Sequence, residues 1–241
     1  MKKRLFSILF SVAMITSLFA GAASANEAPA KEPKAVVNSV KLKPVDGNDD
    51  LDVSIQELSD GTVRKVISGS GKADDKPTRY DITINREKNT FTTIETDLSN
   101  DPEYSIKPFA PIWSKQVKLL TYDPVGWEIC YSKAILYWYM QNDYAIYSNG
   151  GSATWAANPS PIDTHWYVDS EQTRRKDKPA AVGQETVANF SNYDFLNDNL
   201  YTYVNHNVSV WGFMNGSFDY DAIEDATGEA SVLLTSTIEI Y

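Results

Sequence analysis

Apolar and polar positions alternate with a period of two through much of this chain, the pattern of strands that bury one face and wet the other. Tyr80, Ile82 and Ile84 alternate with Asp81 and Thr83. Near the C-terminus Val232, Leu234, Ile238 and Ile240 share one face, with Thr235, Thr237 and Glu239 on the other. Residues 52–58 and 62–67 are β-capable runs on either side of Asp60-Gly61, a pair that tolerates the positive φ angles of a tight hairpin turn. A second hairpin is predicted from 79–85 and 90–96 around a polar turn at 87–89, and a third at Asn215-Gly216, between 201–214 and 217–220.

Further strands are predicted over 115–122, 165–169 and 187–195, and a short one around Val40 and Leu42 that Pro44 ends. Ser148-Asn149-Gly150-Gly151 reads as a turn, Ser68-Gly69-Ser70-Gly71-Lys72 as a flexible bend, and 173–179 as a charged loop. The stretch 127–140 fits two patterns. As a strand it puts Cys130, Ser132, Ala134, Leu136 and Trp138 on one face, and Ile129, Tyr131, Ile135, Tyr137 and Tyr139 on the other; as a helix it starts from a Ser132 cap. Frequent turn signals and few helical patterns make the chain mainly β: an antiparallel β-sandwich or a related β-barrel, with at most one or two short helices.

The first 25 residues break the pattern. Lys2, Lys3 and Arg4 precede an apolar run, and Ala23-Ser24-Ala25 offers the small-x-small site of signal peptidase, so a cleavable export signal over 1–25 is expected. The apolar run is short for a membrane span, and no later run reaches spanning length. Residues 26–35 are a flexible spacer in this reading, because they carry too little apolar surface to offset the entropy of ordering. An N-terminal β region, 36–105, and an aromatic-rich C-terminal β region, 106–241, then follow, either as two domains or as one continuous domain. All six tryptophans fall in the second.

Charge and cysteine content narrow the partners. The export signal holds three basic residues and no acidic ones, so its loss takes the formal charge from −10 to −13. That balance argues against nucleic acid and against anionic membrane surfaces. A single cysteine, Cys130, rules out an internal disulfide, leaving stability to apolar burial.

Candidate chemistry is sparse. On a strand from residue 164 to 171, His165, Tyr167, Asp169 and Glu171 form an outward stripe while Trp166 and Val168 point inward. Neighbours in the stripe are about 7 Å apart, a separation compatible with the paired carboxylates of an inverting glycosidase. If the chain is an enzyme, Asp169, Glu171 and His165 are the expected catalytic groups. His206, in phase with Val204, Val208 and Val210, reads as a packed histidine satisfied by hydrogen bonds, and Cys130 as a small buried hydrophobe. There is no HExxH, no clustered Cys/His pattern and no Gly-x-Ser-x-Gly elbow. No resident cofactor is expected, except that oxygen-rich turns at Asp46, Asn48, Asp50 and Asp52, and at Asp219 and Asp221, are weak candidates for structural calcium.

Aromatic residues supply the remaining hint. Trp155, Trp166, Tyr167, Tyr201, Tyr203 and Trp211 offer flat apolar faces with polar edges, suited either to a ligand or to a β core. The reading that follows is a secreted, non-catalytic binding protein for extracellular glycan or cell-envelope material. The alternatives are a glycan-acting hydrolase with paired carboxylates and a secreted protein-interaction or toxin-like β-protein.

Overall fold

The computed structural model describes residues 34–45, 47, 50–102, 112–161, 163–194, 201–228 and 231–241. The predicted export signal, Asp46 and Asn48 lie outside them. The strands are β1 (Val36–Lys41), β2 (Lys43–Pro44), β3 (Leu51–Leu58), β4 (Val63–Lys72), β5 (Thr78–Asn85), β6 (Thr90–Asp97) and β7 (Trp113–Tyr122), followed by β8 (Glu128–Gln141), β9 (Tyr144–Ala156), β10 (Trp166–Arg175), β11 (Ala181–Asn192), β12 (Thr202–Phe213), β13 (Ser217–Thr227) and β14 (Thr235–Ile240). Helical structure among the described residues is limited to short 3₁₀ turns, such as Ser231–Leu233.

Two seven-stranded sheets result. The first has the order β1-β3-β4-β13-β12-β11-β10 and the second β2-β6-β5-β14-β7-β8-β9. All pairings are antiparallel except that of the two-residue β2 with β6. The sheets stack face to face, with β10 over β9, β11 over β8 and β9, and β12 over β7 and β8. Of the two architectures expected from the sequence, β-sandwich and β-barrel, this is the sandwich.

The last two strands hold it together. β13 lies between β4 and β12, and β14 between β5 and β7. Both sheets therefore contain strands from 36–105 and from 106–241, joined by backbone hydrogen bonds to the C-terminal pair.

The hairpins at Asp60-Gly61 and Asn215-Gly216 form as predicted, with φ of 81° at Gly61 and 77° at Gly216. Residues 128–141 are a strand, and Cys130, Ser132, Ala134, Leu136 and Trp138 are all buried on its inner face. Ile129 departs from the expected outer face. A register shift beside Thr121 places it in a bulge, and it is buried with Trp166 and Phe190.

Three local readings are corrected by long-range packing. No turn forms at 148–151; these residues run through β9, and the reversal is instead at Asn142 and Asp143, with φ of 51° and 62°. Two consecutive positive φ angles are the geometry of a primed hairpin turn, which Asn and Asp adopt more readily than most residues. The glycine-rich 68–72 segment is the end of β4, not a bend. Its glycines make room for aromatic rings: a Cβ at Gly69 would lie 2.7 Å from the Tyr220 hydroxyl, and one at Gly71 2.9 Å from the Phe218 ring. Finally, Thr173–Arg175 belong to β10 rather than to a charged loop, because each pairs with β11.

Candidate functional site

Aromatic side chains gather where the turn before β8 meets the outer face of β8 and β9. Asp123, itself buried, builds the turn: its Oδ1 accepts the backbone N–H of Val125 (3.0 Å) and of Trp127 (2.8 Å). Gly126, at φ 88°, completes it. The turn leaves Trp127 48% exposed. On the strands themselves Tyr131 pairs across with Trp155, and the two rings stack at 6.0 Å with an interplanar angle of 21°. Trp155 is 41% exposed. The Lys118 ammonium lies 4.4 Å from the Tyr131 ring centroid and is held by Glu239 at 3.3 Å. Trp127, Tyr131 and Trp155, with Glu128, Pro159 and Pro161, line a hollow of about 520 Å³.

This arrangement has flat apolar walls, an acidic group at its rim and a volume within the usual range for small-molecule sites. Among the described lining residues its one carboxylate is Glu128. What it can do is stack against a planar or chair-shaped apolar face and offer polar edges to the groups around it.

The predicted ligand residues divide into exposed and sealed ones. Trp155 is in the hollow. Tyr167, Tyr201 and Tyr203 are exposed on the first sheet, joined there by Tyr193, which lies 6.4 Å from Tyr167 and 5.2 Å from Tyr201 between ring centroids. Trp166 is corrected to core: it is fully buried among Ile129, Phe190 and Val204. Trp211 is likewise sealed. Its indole N–H donates to the Lys176 carbonyl at 2.7 Å, and the Lys178 ammonium covers its ring 3.2 Å from the centroid. Trp127 and Tyr131 went unnamed as ligand residues. The signal that could have found them is the turn sequence Asp123-Pro124-Val125-Gly126 placing a tryptophan directly before a strand whose outer face carries tyrosines.

The expected acidic stripe is broken by a β-bulge between Val168 and Ser170. A bulge inserts one residue and reverses the alternation beyond it. Asp169 accepts a hydrogen bond from the Ser191 hydroxyl at 2.7 Å on the outer side. Glu171 turns instead toward the second sheet, where it accepts from Ser152 Oγ (2.5 Å) and Thr154 Oγ1 (2.8 Å) of β9. The two carboxylates do not share a face, and Glu171 clamps the two edge strands together. His165 is tied elsewhere, its Nδ1 2.7 Å from Asp194 Oδ2 and its backbone N–H donating to Asp194 Oδ1 at 2.9 Å.

The two acidic turns converge. Asp50 and Asp52 lie across β4 from Asp219 and Asp221, and the four line one depression with Ser68, Ser70 and Lys178. Among the described residues no group of three or more His, Cys, Asp or Glu side chains is placed to hold a metal ion.

A polar network is buried between the sheets. Lys65 donates to Glu224 Oε1 (2.7 Å), to the Leu234 carbonyl (2.9 Å) and to Ser236 Oγ (3.0 Å). Glu224 Oε2 accepts from Thr121 Oγ1 at 2.5 Å and from Ser236 Oγ at 3.0 Å. His206 lies between Thr121 Oγ1 (2.8 Å) and Ser132 Oγ (3.2 Å), packed edge-on to Phe190. Burial lowers the His206 pKa to about 4, with Glu224 working against that shift and Lys65 adding to it. Burial, reinforced by Glu224, pushes the Cys130 thiol well above its ordinary range. His206 is thus packed and satisfied by hydrogen bonds, as its phase predicts, and Cys130 is buried.

No known family model matches the chain, and neither does any curated protein or solved structure.

Proposed function

We propose that the chain, freed of residues 1–25, works outside the cytoplasm as a non-catalytic binding protein for glycan or cell-envelope material, and that it holds its ligand at Trp127, Tyr131 and Trp155. The observation that carries this reading is the pair of exposed tryptophans around the stacked Tyr131 ring, enclosing about 520 Å³. A pyranose ring has an apolar face bounded by hydroxyls. The exposed indole faces of Trp127 and Trp155 match the first, and the Glu128 carboxylate with the Trp155 indole N–H matches the second. Asp169 and Glu171 turn to opposite faces of β10, which favours binding over paired-carboxylate hydrolysis.

The test is a binding screen of the chain from residue 26 against peptidoglycan and insoluble polysaccharides. Positives are then titrated calorimetrically with soluble oligosaccharides. Trp155→Ala and Trp127→Ala should each weaken binding by roughly fivefold or more, because a truncated aromatic anchor costs upwards of about 1 kcal/mol. No binding across the panel, or binding that survives the double substitution unchanged, would overturn the proposal.

A further inference from the structure

A second cavity, unrelated to the aromatic hollow, opens between the two sheets. Its walls come from β3 and β4 on one side and from β5 and β14 on the other, and it encloses about 470 Å³. Ile55, Ile67, Ile82 and Ile84 line it, and Val232 and Leu233 form a lip with their side chains exposed. Among the described residues no aromatic ring lines this space.

The polar groups are arranged in two tiers. Deep in the cavity lie Lys65 and Ser236, whose hydrogen bonds go to each other, to Glu224 and to the Leu234 carbonyl. All three ammonium protons of Lys65 are thereby used, and a polar head entering here would gain no donor. At the mouth lie Asn85, Arg86 and Glu87. Arg86 is exposed and forms no salt bridge among the described residues. The aliphatic floor and walls lie beneath a mouth that carries both the Arg86 guanidinium and the Glu87 carboxylate; the floor suits an apolar chain and the guanidinium an anionic head.

We propose that this cleft binds a free, medium-length aliphatic carboxylate, with its chain between the sheets and its carboxylate at Arg86. The volume is consistent with that occupant. At ~30 Å³ per water-sized group, 470 Å³ holds roughly 15 such groups, enough for the chain of decanoate with its head outside. The guanidinium fork provides two parallel donors to the carboxylate oxygens. Decanol, which fills the same space without a charge, gains nothing from that fork.

Isothermal titration of the chain from residue 26 with sodium decanoate, below its micelle concentration, should show saturable one-to-one binding. Octanoate should bind about 15-fold more weakly, since each buried methylene is worth roughly fourfold. Leu233→Asp, at an exposed lip position, should weaken decanoate at least tenfold by placing a like charge against the entering ligand. Arg86→Gln should weaken decanoate severalfold and leave decanol unaffected. Urea midpoints equal to that of the parent show that both variants are folded. Absence of saturable decanoate binding, affinity independent of chain length, or undiminished binding by Leu233→Asp would each overturn the proposal. So would binding to phosphatidylglycerol vesicles without binding to free decanoate, because it would assign the cleft to membrane lipid.

Discussion

Glu224→Gln isolates the energetic role of the buried network, because it keeps the side-chain shape and removes one charge. In the native chain the carboxylate faces the Lys65 ammonium at 2.7 Å, and both side chains are buried. The substituted amide would leave that ammonium without a counter-charge, held by the Leu234 carbonyl and Ser236 Oγ among its present partners. An ammonium confined to such a site is expected to cost about 3–5 kcal/mol. That is a large part of the roughly 5–15 kcal/mol that holds a typical domain folded. Removing both charges, with Lys65→Met added to Glu224→Gln, should recover much of the loss, because a buried ion pair replaced as a unit is often close to neutral. Urea unfolding at pH 7, followed by tryptophan fluorescence, measures both. With a slope of about 2–3 kcal/mol/M, the single substitution should lower the midpoint by roughly 1–2 M. A shift under about 0.3 M, or a double variant whose loss equals the sum of the two single losses, would refute the coupling inferred from the geometry.

Two further outcomes follow from the same core. His206 has its folded pKa depressed to about 4 by burial, against about 6.5 when unfolded, so the unfolded chain takes up the proton first. Its stabilising contribution is complete above pH 6.5 and is lost as pH falls toward 4, by about 3 kcal/mol; urea midpoints that stay level between pH 7 and pH 4 would contradict this. Gly212→Ala should destabilise the fold by roughly 1–3 kcal/mol, since a Cβ there would lie 2.3 Å from the Trp138 ring, which is itself pinned by an indole N–H bond to the Phe213 carbonyl at 2.9 Å. A calorimetric melting temperature within a degree of the parent's would show that Trp138 has room to move.

Several features were legible from local pattern alone. Period-two alternation, Asp60-Gly61 and Asn215-Gly216 specify the mainly β class, two of the hairpins and the inner face of β8, because strand phase and turn geometry depend on a few adjacent residues. The inward phase of Trp166 and the packed character of His206 come from the same source. Burial against solvent was not legible for individual rings. Trp155 and Trp211 both sit on strands, yet only Trp155 is open, because Lys178 from the loop between β10 and β11 covers the other.

The site depends more heavily on contacts between distant residues. The bulge at Asp169 is a property of the pairing of β10 with β11, and it separates two carboxylates that the simple strand phase puts together. The convergence of Asp50 and Asp52 with Asp219 and Asp221 needs β4 to pair with both β3 and β13. Lys65, Thr121, His206, Glu224 and Ser236 likewise become one network only when five strands from both sheets are stacked. The mainly β class, the Asp60-Gly61 and Asn215-Gly216 hairpins and the inner face of β8 come from the sequence, since those rest on residues one or two positions apart. Tertiary structure decided which aromatic rings remain open and which charges meet, since those rest on strand order and on the packing of one sheet against the other.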